Sequence, residues 1–397
     1  MRNLEMELVE DLIGKMELEI ANDIGNSETK TKFNGHLVKQ PSVIKFVYEV
    51  PPVKEIDIKK NVANLLDDLI VNVTSKAIAR NGLYMVGKRA TLHGKNDNMN
   101  ILLGNKYKHD IPVIMTLSMT AAKAVKSFYE EEGVLPKNII VESKMSTAIP
   151  ASEFTYEKAA YLENRFLDGT HIVIVYVGNE LVTVQINFKQ VKVMKEGVPS
   201  LYALLESDKN ILNRYNETYK KDAIPKDFRN KKILHVEIGD GTTEYIYTIG
   251  MNPEVELCSG EKRGVGHATE EAVKLLINER NGNLKINRQQ FMDILRDPSH
   301  ISHDSANKFM DMTRYNEGLN IIEDVQKKYY EIAGNLEVLA VYGGGSIQFE
   351  NELYEPLLDF ANSVKCELLY IPEEYAVDMN VNGLDVLNRK VLFKTKG

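Results

Sequence analysis

Two stretches of the chain, Asp23-Ile-Gly-Asn-Ser-Glu-Thr-Lys30 and Glu237-Ile-Gly-Asp-Gly-Thr-Thr-Glu244, share one design. In each, an acidic residue closes a β-type run, a Gly/Ser/Thr turn follows, and a second β-type run begins. One such turn is an ordinary tight connection between strands. Two of them suggest two halves of a molecule that grip one polyphosphate.

A phosphate tail needs backbone N–H groups that nothing covers, small hydroxyls, and a carboxylate able to hold Mg²⁺ through its water shell. Gly25, Gly239 and Gly241 allow close backbone approach, and Ser27, Thr242 and Thr243 add short donors. Asp23 and Glu237 are expected at strand ends facing a metal, and Lys30 offers one positive charge. Neither turn is the helix-opening phosphate loop ending in Gly-Lys-Ser/Thr, because alternating strand residues follow each, over 32–38 and 245–249.

At 397 residues the chain has room for two domains with a cleft between them. Its 43% hydrophobic and 27% charged content fits a soluble globular protein. A net charge of -8 argues against a nucleic-acid surface as its main business. Cys258 and Cys366 have no paired spacing, which points to neither a disulfide framework nor a zinc site and fits a reducing cytoplasm. An acidic N-terminus unlike a signal peptide, and apolar runs short of a membrane span, lead to the expectation of a cytoplasmic protein without membrane contact.

Leu4, Leu8, Val9, Leu12, Ile13 and Met16 fall at helical spacing, so an amphipathic helix is expected before the strand ending at Asp23. Residues 44–50 and 84–91 read as strands, and 61–78, 111–132 and 153–167 as helices. A hairpin is expected over 171–188 around Gly178-Asn179. The polar stretch 206–232 reads as a linker or insertion. Beyond it the plan repeats, with a hairpin over 233–249, helices over 268–280 and 318–335, and a strand over 338–342. That strand runs into Gly343-Gly344-Gly345-Ser346, a turn bare enough for a flat ring or sugar to lie against backbone. His300 and His303 flank a Ser-rich loop but have no third ligand nearby, so a solvated loop is the simpler reading. The pairs Lys59-Lys60 and Lys231-Lys232 read as exposed charge.

The order of these motifs, with Val191-Lys-Val-Met-Lys-Glu196-Gly-Val-Pro199-Ser-Leu-Tyr202 between the hairpins, resembles the actin, heat-shock chaperone and sugar kinase superfamily. Within it the chain looks like the ParM branch of plasmid-segregating bacterial actins and its Bacillus-plasmid relatives. Glu196-x-x-Pro199 is similar to that branch's connect 1 segment, Ile149-Pro150 to its Leu-Pro element, and Asn382-Gly383-Leu384 to the small turn that re-enters the first domain. The resemblance implies an α/β actin-like fold of two RNase-H-like domains around a nucleotide cleft: domain I over 1–205, domain II over 206–375, and a return to domain I over 376–397. It also implies ATP and Mg²⁺ as cofactors, ATP hydrolysis coupled to head-to-tail filament growth, and plasmid DNA segregation through a ParR-like adaptor rather than direct nucleic-acid contact.

Carried over by position, Asp23 and Glu237 would hold the Mg²⁺ through water. Gly25, Asn26, Ser27 and Lys30, with Gly239, Asp240, Gly241 and Thr242, would bind phosphates. Gly343, Gly344, Gly345 and Ser346 would back the adenosine. Glu196 would orient the attacking water, with Glu237 as the second catalytic carboxylate. Two departures stand out: Glu237 replaces the family's usual Asp, moving the carboxylate by roughly 1.5 Å, and Asp240 puts a negative side chain where glycine is common and would repel phosphate unless it turns outward. A small-molecule kinase of the same superfamily is the alternative, but no substrate-side aspartate motif is evident. A chaperone-type ATPase would need a substrate-binding β-domain after the two lobes.

Overall fold

The computed structural model describes residues 13–52, 55–93, 97–98 and 105–394. The first sheet is built from β1 (Ile13–Ile24), β2 (Glu28–Phe33), β3 (His36–Pro41), β4 (Val43–Phe46), β5 (Ile70–Thr74), β6 (Gly82–Val86), β7 (Asp97–Asn98), β8 (Asn138–Ile149), β9 (His171–Val177) and β10 (Glu180–Lys195). The second holds β11 (Lys232–Ile238), β12 (Thr243–Ile249), β13 (Asn252–Pro253), β14 (Ser259–Glu261), β15 (Val338–Tyr342) and β16 (Glu367–Tyr370). Their orders are β3-β2-β1-β8-β10-β9-β5-β6-β4-β7 and β13-β12-β11-β15-β16, with β14 beside β12.

The run β3-β2-β1-β8-β10 repeats the plan of β13-β12-β11-β15-β16. In both, two antiparallel pairings lead to a strand that continues into two parallel neighbours. This is the RNase-H-like arrangement twice over. Parallel strands covered on both faces must be apolar throughout, and β15 is buried at every position. Helix Asp110–Glu132 covers the first sheet with Val113, Leu117, Ala121 and Ala124 on its buried side. It stops at Gly133, whose left-handed φ of 71° lets its N–H reach Tyr129 O.

The chain passes from one sheet to the other after β10. Helix Val198–Glu206 packs Leu201 and Leu204 against Ile233 and Val338 of the second core. The return runs through helix Met379–Leu387, whose Val381 and Leu384 meet Ala21 of β1. The two helices touch backbone to backbone: a Cβ on Gly383 would lie 1.8 Å from Pro199 O. Only glycine fits that crossing.

Several expectations need correction. Ile13 and Met16 belong to β1, which pairs with β8 from Ile13 onward; the rest of the expected N-terminal helix lies outside the described residues. The supposed continuous strand over 32–38 is broken by a turn at Asn34-Gly35, where φ is 48° and 84°. β4 ends at Phe46, not at residue 50, and β6 ends at Val86, with Lys88–Thr91 forming a helical turn. The helix expected over 61–78 is a short one, Ile58–Ala63, followed by β5. Residues 206–232 are no linker: Ile211, Leu212, Tyr215 and Phe228 are buried in the second core. Asn382-Gly383-Leu384 is helical rather than a turn.

Candidate functional site

A cavity of about 280 Å³ opens between the sheets, near the lower end of ligand-pocket sizes of about 300 to 1,000 Å³. Asp23, Gly25, Asn26, Ser27, Lys30, Glu196, Glu237, Gly239, Asp240, Gly241, Thr242, Gly343, Gly344 and Gly345 all line it. Ser346 does not: its buried hydroxyl donates to Gly343 O at 2.8 Å and caps the turn from behind.

The two hairpins coincide in register. Asp23 sits opposite Lys30 and Ile24 opposite Thr29, while Glu237 sits opposite Glu244 and Ile238 opposite Thr243. Each leaves four residues between its last pairs, Gly25-Asn26-Ser27-Glu28 and Gly239-Asp240-Gly241-Thr242. The leading glycine is required in both for one reason. A Cβ on Gly25 would lie 2.5 Å from Glu28 O, and one on Gly239 would lie 3.0 Å from Thr242 O.

Carbonyl oxygens of both loops are tied away from the cleft. Ser42 donates from Oγ to Gly25 O at 2.6 Å and from N to Ser27 O at 2.9 Å. In the second loop, Gly239 O and Asp240 O accept from the amides of Val265 and Gly266 at the start of helix Val265–Glu279, at 3.4 and 2.8 Å, and Gly241 O lies 2.9 Å from His267 Nε2. The peptide bonds among the described residues are all trans, so each following N–H points opposite to its tied carbonyl. Asn26 and Glu28 in one loop, and Asp240, Gly241 and Thr242 in the other, are thereby left with amides directed away from those anchors, an arrangement suited to anions. Asp240 does turn its charge aside: Arg288 Nη1 donates to its Oδ2 at 3.0 Å.

Glu196 follows β10, with its amide on Ile149 O at 2.9 Å. Its carboxylate accepts from Lys106 Nζ, and both residues are buried. Burial pushes the Glu196 carboxyl up and the Lys106 charge opposes this. For Lys106, burial would lower the ammonium, but the charge and hydrogen bond of Glu196 outweigh it and hold it above the ordinary value. Glu153 Oε2 accepts from the Lys106 amide at 2.8 Å and so positions the turn.

Glu237 is held by Asn380, whose Nδ2 donates to Oε1 at 2.6 Å; its other oxygen, Oε2, is buried without a partner. Burial, then the charges of Glu196 and Asp23, push this carboxyl well up. Asn380 Oδ1 also accepts from Gly197 N at 3.1 Å and Ser200 Oγ at 3.0 Å, so one amide links the second hairpin to both chain crossings. Across from Glu237, Glu244 accepts from Ala151 N at 2.8 Å and leaves Oε1 unpartnered. Burial, with a contribution from Glu196, pushes it up to about 8. Gly260 makes room for it: a Cβ there would fall 2.3 Å from Glu244 Oε2.

Lys106, Glu153, Glu244, Arg288 and Asn380 were not singled out from sequence. Glu244 had a signal, since it stands seven positions after Glu237 as Lys30 does after Asp23. The others are scattered polar residues that only the fold assembles. At the glycine turn expected to back an adenosine, a Cβ on Gly343 would lie 2.4 Å from Ile238 O and one on Gly345 2.3 Å from Ile238 Cγ2, whereas one on Gly344 would meet nothing within 4 Å. Two of these glycines serve close packing of the turn on β11, and the middle one leaves open space at the cleft.

Residues 21–198 match the family described as actin like proteins, N terminal domain. Comparison with curated protein sequences finds no match. Solved structures match along nearly the whole chain. The actin-like protein Alp7A superposes with a TM-score of 0.67 at 14% identity, covering 95% of this chain and 96% of that one. A 15-stranded ParM filament from Clostridium botulinum gives 0.64 at 16%, covering 93% and 97%. Bacillus thuringiensis ParM with AMPPNP gives 0.53 at 19%, covering 94% and 98%. The chain has the actin-like fold, and its residues 21–198 are similar to the N-terminal domain of actin-like proteins.

Proposed function

We propose that this protein is an ATPase that polymerises head to tail on ATP and, through a DNA-bound ParR-like adaptor, segregates plasmid DNA in the cytoplasm. The observation that supports it most is the cleft itself: two hairpins of matching register place their loops at one cavity, which Glu196 also lines. Similarity in fold to a ParM filament and to a ParM with AMPPNP supports the same reading.

The phosphates lie between the two loops, and Lys30 faces them from the first hairpin. Glu196 accepts a hydrogen bond from a water whose oxygen forms the new bond to the terminal phosphorus as the bond to the β-phosphate oxygen breaks. The water proton passes to Glu196 or the released phosphate, and ADP leaves. Asp23 and Glu237 fit a Mg²⁺ held partly through water: the donors are all oxygen, and Glu237 Oε2 is buried with no partner. Such an ion neutralises phosphate charge. Among the described residues no helix is long and apolar enough to cross a membrane.

Sedimentation and phosphate release after Mg²⁺-ATP addition test the proposal together. The expected result is ATP-dependent pelleting with acceptor-independent phosphate release, and Glu196→Ala stopping release while nucleotide still binds. A protein that stays soluble and transfers phosphate only to an added sugar or acid would be a kinase instead.

A further inference from the structure

We infer that Lys106 is a charge-swapping residue: it holds Glu196 while the cleft is empty and turns to the terminal phosphate of a bound nucleoside triphosphate, freeing Glu196 for water. This deepens, and rests on, the ATPase reading above.

The turn that bears Lys106 is fixed. Its amide is on Glu153, and Arg165 Nη1 donates to Tyr107 O at 2.9 Å and to His109 O at 2.8 Å. The ammonium, in contrast, ends a flexible four-carbon stem. It lines the cleft and donates to Glu196 Oε1 there.

The cleft is otherwise acidic. Asp23, Glu28, Glu196 and Glu237 face it, with Asp240 turned onto Arg288, against the ammonium groups of Lys30 and Lys106 among the described residues. Lys30 is already engaged, donating to Val377 O at 2.7 Å with Asp23 Oδ2 at 3.7 Å. A triphosphate entering with its Mg²⁺ still adds negative charge to this acidic cleft, and Lys106 is in position to offset it. A buried ion pair is costly to break unless a substitute partner arrives. The terminal phosphate is such a partner, and its departure as a diphosphate remains would return Lys106 to Glu196. While paired, the Glu196 oxygen is occupied by an ammonium and is a poor acceptor for water. Once released, it is a strong one. The swap thus switches on the water-orienting carboxylate only when a terminal phosphate is present.

Calorimetric titration of the full chain with Mg²⁺-AMPPNP and Mg²⁺-ADP, alongside single-turnover hydrolysis, tests this. Lys106→Met is expected to weaken AMPPNP binding by about 10-fold or more, the scale of one charge-assisted contact, with ADP affinity unchanged and hydrolysis nearly abolished. Lys106→Arg restores most of the AMPPNP affinity. Glu196→Gln releases Lys106 and binds AMPPNP more tightly than the unaltered chain, whereas the double variant Lys106→Met/Glu196→Gln shows no such gain. That double variant also replaces the ion pair with a neutral pair of similar size, so folding is preserved. An AMPPNP-to-ADP affinity ratio unchanged in Lys106→Met, or a gain from Glu196→Gln that persists in the double variant, overturns the swap and leaves the ATPase reading standing. A natural chain that binds neither nucleotide overturns both.

Discussion

The two cleft hairpins share register, loop length and leading glycine, yet they differ in charge. In the first, Asp23 faces Lys30; in the second, Glu237 faces Glu244. Opposite charges across a ladder attract and like charges repel. The first hairpin is therefore close to self-neutral, and it is tied to the returning chain through Lys30 to Val377 O and Lys39 to Asp378. The second cannot neutralise itself. Its acids are held from outside, Glu237 by Asn380 and Glu244 by the Ala151 amide, and each keeps one buried oxygen without a partner. The difference teaches that one backbone geometry can carry two electrical characters: the first jaw pairs acid with base across its ladder, whereas the second gathers two buried carboxyls that nothing within the hairpin neutralises.

The largest expected contrast lies in the leading glycines. Gly25→Ala forces a Cβ to 2.5 Å from a backbone oxygen, and Gly239→Ala only to 3.0 Å. Denaturant titration should show losses of about 3 and about 1 kcal/mol respectively; equal losses would mean that the loops are not held alike. Next comes charge. Lys30→Met removes the first jaw's cation and is expected to weaken ATP binding by about 30-fold, or about 2 kcal/mol, whereas Glu244→Gln leaves it within about 3-fold. Reversed effects in equilibrium titration would invert the roles assigned to the jaws.

The smallest effect concerns protons. Glu244 is held at about 8 in the folded chain, against an ordinary 4.5. A raised carboxyl binds its proton more tightly when folded, so its contribution is intact below about pH 4.5 and is lost as pH rises to about 8. Glu244→Gln should flatten that part of the stability profile and raise stability at pH 8 relative to the unaltered chain. A profile unchanged by the substitution would show that Glu244 ionises as freely as a surface carboxylate.

Legibility in the sequence followed locality. The hairpins could be read because their turn chemistry and spacing are local, and helix Asp110–Glu132 because its apolar run is long. Ile13 and Met16 matched a helical period, but pairing with β8 overrides it from Ile13 to Asn22. Over 61–78, the β-branched cluster Ile70, Val71 and Val73 is buried as a strand inside what looked like one helix. Residues 206–232 hid their role because polar residues separate Ile211, Leu212, Tyr215 and Phe228. The site was legible at glycines and turns, where backbone shape dictates residue type. Lys106 and Asn380 escaped because a lysine or asparagine has no signature until the fold supplies its partner.

Hydrogen exchange of the loop amides on addition of Mg²⁺-AMPPNP tests the central claim most directly, that both hairpins grip one polyphosphate. The amides of 25–28 and of 239–242 are expected to gain protection together, with the same dependence on ligand concentration. Protection confined to one loop, or to neither, would contradict it.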